Sequence, residues 1–186
     1  MLAMSPAKAN SKMKNRSAAH NRAELLRIAG VDLVAVDGLN ISLAQTILSE
    51  IGTDMSKWPT EKHFASWLGL APHNDISGGK VLRSRTLPSQ NRAGQAFRQA
   101  AAAVSRTPSA FRAFYRRKRV QLGPQQAQAA TAHKIARTVY YLLKHHVPYQ
   151  DVGAEIYEQT QRERDIAHLR KKAAKLGFTL TPPQVA

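Results

Sequence analysis

Residues 75 to 86 read "DISGGKVLRSRT": Ser77, two glycines, Lys80, then Arg83 and Arg85. A serine hydroxyl is a weak nucleophile unless a base takes its proton and donors or cations stabilise the charge that develops opposite. Attack on a phosphodiester also needs positive charge around the scissile phosphate. Gly78 and Gly79 let a backbone approach closely, and successive N–H groups there can cradle an anion. Lys80, Arg83 and Arg85 supply cations, but the stretch shows no general base. A Walker A loop does not fit, because position 74 is Asn and position 81 is Val where Gly and Ser or Thr are required. A plain turn without chemistry is the other reading of a Ser-Gly-Gly run.

Other chemistry is thinly represented. There is no cysteine among the 186 residues, which excludes disulfides and thiolate metal sites and fits a reducing compartment. The seven histidines form no metal-binding spacing, and the adjacent pair His145 and His146 cannot share one helical face. Asp32, Asp37, Glu50, Asp54, Glu61 and Asp75 are carboxylates available for a Mg²⁺ pair, but none lies in an acidic strand motif.

The charge pattern names a partner. The chain carries a net charge of +16, and between Ile76 and Gln150 it holds fourteen Lys and Arg with no Asp or Glu. A one-signed stretch of that length repels itself, and a polyanion relieves the repulsion. Nucleic acid is the expected partner, with Arg92 and the run Arg116, Arg117, Lys118 and Arg119 joining the loop cations as phosphate ligands. No apolar run approaches a membrane span.

These residues need positioning elements. Residues 1–23 are polar, basic and acid-free, lack the apolar block of a secretory signal, and read as a disordered arm. Leu33, Val34 and Val36 precede an Asp37-Gly38 turn, and a helical pattern then runs to Ile51, capped by Asn40 or Ser42. That makes a helix-hairpin-helix at about residues 30–52, whose Gly38 turn would offer N–H groups to a phosphate; an ordinary helical hairpin is the alternative. Thr60 caps a helix bearing Phe64, Trp67 and Leu68 on one face. Residues 69–90 form the glycine-bearing serine loop, with a short extended pair possible in "KVLRSRT". Helices follow from Ser89, from Thr107 with Pro108 at its first position, and from Pro124. A charged helix spans 151–176, and 177–186 is a tail. The predicted fold is mainly α: the helix-hairpin-helix, the loop, and a bundle of longer helices, with 24–150 as one domain. At 6% aromatic content the core should be mostly Leu, Ile, Val and Ala.

The run "VDLVAVDGLNISLAQTILSEIGTDMSKWPTEKHFASWLGLAPHNDISGGKVLRSRT", continued by "NRAGQAFRQAAAAVSR", "FRAFYRRKRVQLG" and "ATAHKIARTVYYLLKHHVPY", resembles the C-terminal half of a bacterial insertion-sequence transposase. The family is the one with an N-terminal DEDD, RuvC-like domain and a C-terminal serine-bearing domain. It includes the bridge-RNA-guided recombinases and is related to Piv-type DNA invertases. The resemblance covers roughly residues 24 to 180. It implies DNA transposition or recombination, with the serine at position 77 as a nucleophile forming a phosphoserine link. It implies Mg²⁺ on the acidic N-terminal domain and no cofactor bound by this chain. The departure is that the acidic domain has no counterpart here, so a truncated transposase is expected, unable to complete strand transfer alone. The implied partners are DNA, a guide RNA, and either a homo-oligomer or a full-length transposase, since active sites in the family assemble between protomers. The implied location is the bacterial cytoplasm, at the nucleoid. The competing expectation is a non-catalytic nucleic-acid binder, acting as a guide-RNA ligand or as a competitor of full-length transposase.

Overall fold

The computed structural model describes residues 6–86 and 91–181. Helix α1 spans Pro6–Ala29, and a 3-10 turn at Leu33–Ala35 leads to α2, Ile41–Ile51. A second 3-10 turn, Met55–Lys57, precedes α3, Glu61–Trp67. Strands β1, Pro72–Ser77, and β2, Lys80–Thr86, form an antiparallel hairpin. Then come α4, Arg92–Val104; α5, Ala110–Leu122; α6, Pro124–His145; and α7, Ala154–Lys175. The architecture is mainly α, as the sequence predicts, and among the described residues a two-stranded sheet stands where a glycine-bearing loop was expected.

Several local expectations change. The arm at 1–23 was expected to be disordered, but α1 runs from Pro6 through that region. Pro6 fits a first helical turn, and no Gly or Pro interrupts the Ala-, Lys-, Arg- and Leu-rich sequence until Gly30, at φ +72°. Leu25 and Ala29 dock its last turns into the core. Met1–Ser5 lie outside the described residues. The first arm of the expected helix-hairpin-helix is only a single 3-10 turn, held by the Asp32 carboxylate accepting from the Val34 N–H at 3.1 Å. The Asn40 side chain caps α2, accepting from Leu43 N–H at 2.9 Å. Asn91 caps α4 and Ser109 caps α5, so the start expected at Thr107 moves two residues on. The start expected at Ser89 lies outside the described residues.

Helix α6 is the spine, with α3, α4 and α5 packed along it. Its Ala127, Thr131, Ala132, Ile135, Ala136, Val139 and Leu143 are buried at helical spacing. Thr131 returns its hydroxyl proton to the Ala127 carbonyl at 2.8 Å, which satisfies a polar group inside the core. Most of the core is Ala, Leu, Ile and Val, but its centre is aromatic. Phe64 is fully buried, with ring centroids 4.9 Å from Trp58, 5.5 Å from Tyr140 and 6.4 Å from Phe97. The Tyr140 hydroxyl donates to the Trp58 carbonyl at 2.7 Å, so α6 is tied to the segment before α3.

Helix α7 buries none of its residues and packs on α5. Its attachment runs through Lys134 of α6. That ammonium lies 4.5 Å from the rings of both Phe114 and Tyr157 and 5.8 Å from Phe111. Burial lowers its pKa, with Arg164 and Arg137 adding to the effect. This cation joins three helices and is not displayed to a ligand.

Candidate nucleic-acid interface

The hairpin is rooted by α4. Gly94 faces the Leu68 carbonyl so closely that a Cβ would stand 2.2 Å from the oxygen. No larger residue fits without moving backbone. One turn on, Arg98 donates to the Gly69 carbonyl at 2.8 Å. The chain leaves α3 through these two contacts and enters β1 at Pro72.

At the far end, Ser77 pairs with Lys80 across Gly78 and Gly79, whose φ angles are +55° and +74°. Two positive φ angles in a two-residue turn are the type I′ pattern, which suits the twist of the flanking strands. A Cβ at either glycine would meet nothing within 4 Å. The glycines are therefore required by the turn, and the space beside them is open. Ser77 is exposed, and its hydroxyl has no hydrogen-bond partner among the described residues.

The register decides which side chains share a face. Ser77 opposes Lys80 and Ile76 opposes Val81, but Asp75 opposes Arg83, so Leu82 is an extra residue in β2. Simple alternation would put Lys80 and Arg83 on opposite faces. The bulge shifts the phase by one residue. Ser77, Lys80, Asp75, Arg83, His73 and Arg85 then lie on one face, and Ile76 and Val81 on the other. His73 Nε2 is 3.7 Å from the Asp75 carboxylate. Lys80, Arg83 and Arg85 make no ion pair among the described residues.

The remaining candidates do not join this face. Arg92 is exposed at the start of α4 and lies 3.4 Å from Glu50. Arg116, Arg117 and Arg119 line a groove between α5 and α7 of about 790 Å³, with Val120, Ile166 and Leu169 as its apolar surface. Arg117 is engaged there with Asp165 at 3.1 Å, and Lys118 turns to Gln121 at 3.1 Å. The hairpin has no extensive packing on α5 or α7 among the described residues. The cations thus fall into a hairpin set and an α5–α7 set, with Arg162 of α7 a member of the second that its mixed-sign context concealed. Of the fourteen, Arg92, Arg98, Arg117, Lys118, Lys134, Arg137 and Lys144 have structural partners among the described residues.

Gly38 is explained by packing. At φ +87°, a Cβ there would stand 2.5 Å from both the Ala100 carbonyl oxygen and a Val104 methyl, so the turn needs glycine in order to lie against α4. Beside it, Tyr149 donates to Asp37 at 3.0 Å. Burial raises the Asp37 pKa above its usual range, the Tyr149 bond opposes this, and nearby Asp151 adds to it. A carboxyl raised in the folded state favours folding at low pH, and that contribution is lost as pH rises through its folded value. Asp37→Asn removes the effect and leaves an acceptor for Tyr149. Its melting temperature should exceed wild type at pH 7, and the difference should shrink toward about pH 4, the ordinary aspartate range. Circular dichroism melts at the two pH values measure this.

The carboxylates do not gather. Asp32 pairs with Arg22, Asp37 with Tyr149, Glu50 with Arg92 and Glu61 with Arg137, while Asp54 caps a 3-10 turn. No group of three His, Asp or Glu able to hold a metal is present among the described residues. Those residues do not fit a Mg²⁺ centre.

Residues 32–116 match the family model described as Transposase IS116/IS110/IS902 family. Residues 32–116 are a transposase domain of that family. The matched segment begins at the cap of the first 3-10 turn and ends in α5, so it contains the Gly38 turn, the whole hairpin and α4. A transposase domain implies a role in DNA transposition, with DNA as the molecule handled. No curated protein matches the chain significantly. No helix among the described residues is long and apolar enough to cross a membrane.

Proposed function

We propose that this transposase domain presents Ser77 to a DNA phosphodiester, with Lys80, Arg83 and Arg85 neutralising the phosphate. The observation that carries the reading is the Leu82 bulge, which gathers the hydroxyl and three unpaired cations on one face of a projecting hairpin. The bond that forms is Ser77 Oγ to phosphorus. The bond that breaks joins phosphorus to a deoxyribose oxygen, which leaves with the electron pair and takes a proton from water. The serine proton passes to water, because no acceptor of this chain is hydrogen-bonded to the hydroxyl among the described residues. In the family the acidic domain would hold Mg²⁺.

The test supplies the chain, Mg²⁺ and a full-length family transposase whose own serine has been replaced, then measures protein–DNA adducts. Wild type should form an adduct with this chain. Ser77→Ala should abolish the adduct and leave DNA affinity within about twofold, because no cation is removed. An adduct that survives Ser77→Ala overturns the assignment.

The second reading is a non-catalytic nucleic-acid binder that competes with full-length transposase or holds a guide RNA. The scattered carboxylates favour it. It predicts the same salt-sensitive binding and no adduct from the wild-type chain.

A further inference from the structure

The hairpin leaves both of its outer edges unbonded. No backbone hydrogen bond outside the β1–β2 ladder involves residues 72–86 among the described residues. No third strand joins the sheet among the described residues. A two-stranded ribbon is marginally stable in water, and a free edge invites another strand. The apolar side of this ribbon is also open, with Ile76 64% and Val81 56% exposed.

The two edges differ in charge. β2 carries Lys80, Arg83 and Arg85, and two copies of it side by side would set like charges against one another. β1, "PHNDIS", has no Lys or Arg and has one acid two residues after a histidine. We infer that β1 pairs antiparallel with β1 of a second copy, centred on Asn74, to make a four-stranded sheet in the order β2-β1-β1-β2.

This register satisfies three constraints together. His73 of each copy falls opposite Asp75 of the other, which sets two imidazoles against two carboxylates. Residues of like parity face one another, so the two apolar sides become continuous and the two cationic sides do too; a slip of one residue would mix them. The contact is two-fold and closed, and the cation-bearing β2 strands become the new outer edges, where charge blocks further growth. Both Ser77 hydroxyls and six cations then share one surface, which would suit two DNA strands. The pairing does not depend on Ser77 being a nucleophile, and the Ser77→Ala chain should dimerise as wild type does.

The chain has no cysteine, so single cysteines report cleanly. With a short bismaleimide, Asn74→Cys should cross-link to itself, because the two side chains meet at the two-fold axis. Leu82→Cys should not, since three strand spacings, roughly 14 Å, separate the copies. Sedimentation should give a dimer for wild type, and Asn74→Lys should weaken it about fivefold or more by opposing two ammonium groups. Circular dichroism of each variant checks that the helices remain. A monomer at the highest soluble concentration overturns the inference. So does cross-linking at 82 equal to that at 74, or a dimer unchanged by Asn74→Lys.

Discussion

Phe64→Ala should cost about 3–5 kcal/mol of folding free energy, the range for deleting a buried ring that the surroundings cannot refill. The site gives little room for collapse. Phe64 has no exposure and meets Trp58, Phe97 and Tyr140, side chains from a loop, α4 and α6. Tyr140 is fixed by its bond to the Trp58 carbonyl, and Trp58 is held edge-on to Phe64, so neither can move into the gap without breaking another contact. Domains have roughly 5–15 kcal/mol in total. The variant should therefore be partly unfolded at ambient temperature, with a much lower urea midpoint and an unchanged slope. A loss below about 1 kcal/mol would mean that the aromatic centre is not the keystone of the core.

The second large effect is electrostatic. Replacing Lys80, Arg83 and Arg85 together with Ala should make the plot of log affinity for duplex DNA against log salt shallower by about 2 to 3, as each lost phosphate contact returns close to one condensed counterion. Affinity at low salt should fall by roughly 10²-fold. Arg137→Ala provides the contrast. That guanidinium is engaged with Glu61, so removing it should leave the slope unchanged. If the two variants shift the slope equally, the hairpin face is not the main contact. Fluorescence anisotropy over a salt series separates the outcomes.

Much of this arrangement was legible in the sequence. Helical periodicity located α2, α4 and α6 because each buries one continuous stripe, whereas α5 buries only Ala110, Phe111 and Ala113 of its first turn. Asn40 and Thr60 identified themselves as caps by side-chain chemistry. The hairpin was only half visible. Gly78 and Gly79 signal a tight turn, but β-strand alternation alone misassigns the face of Arg83 and Arg85, because a bulge leaves no compositional mark. His73 and Asp75 were missed as companions of Ser77, although their spacing of two is the signal of a shared strand face. The N-terminal helix was hidden because acid-free polar sequence resembles a disordered arm, while Ala, Lys and Arg are also good helix formers. Gly38 was read as a backbone donor to DNA. Its need for glycine comes instead from α4, distant in sequence and close in space.

Leu82 also makes the hairpin tolerant of one change in length. Removing that one uncharged residue would take away the extra step in β2, and regular alternation from Lys80 would keep Arg83 and Arg85 on the side of Ser77, opposite Asp75 and His73. Every cation would stay on the side where the bulge now puts it. A reading-frame-preserving loss of three nucleotides there would thus straighten the ribbon without silencing this surface.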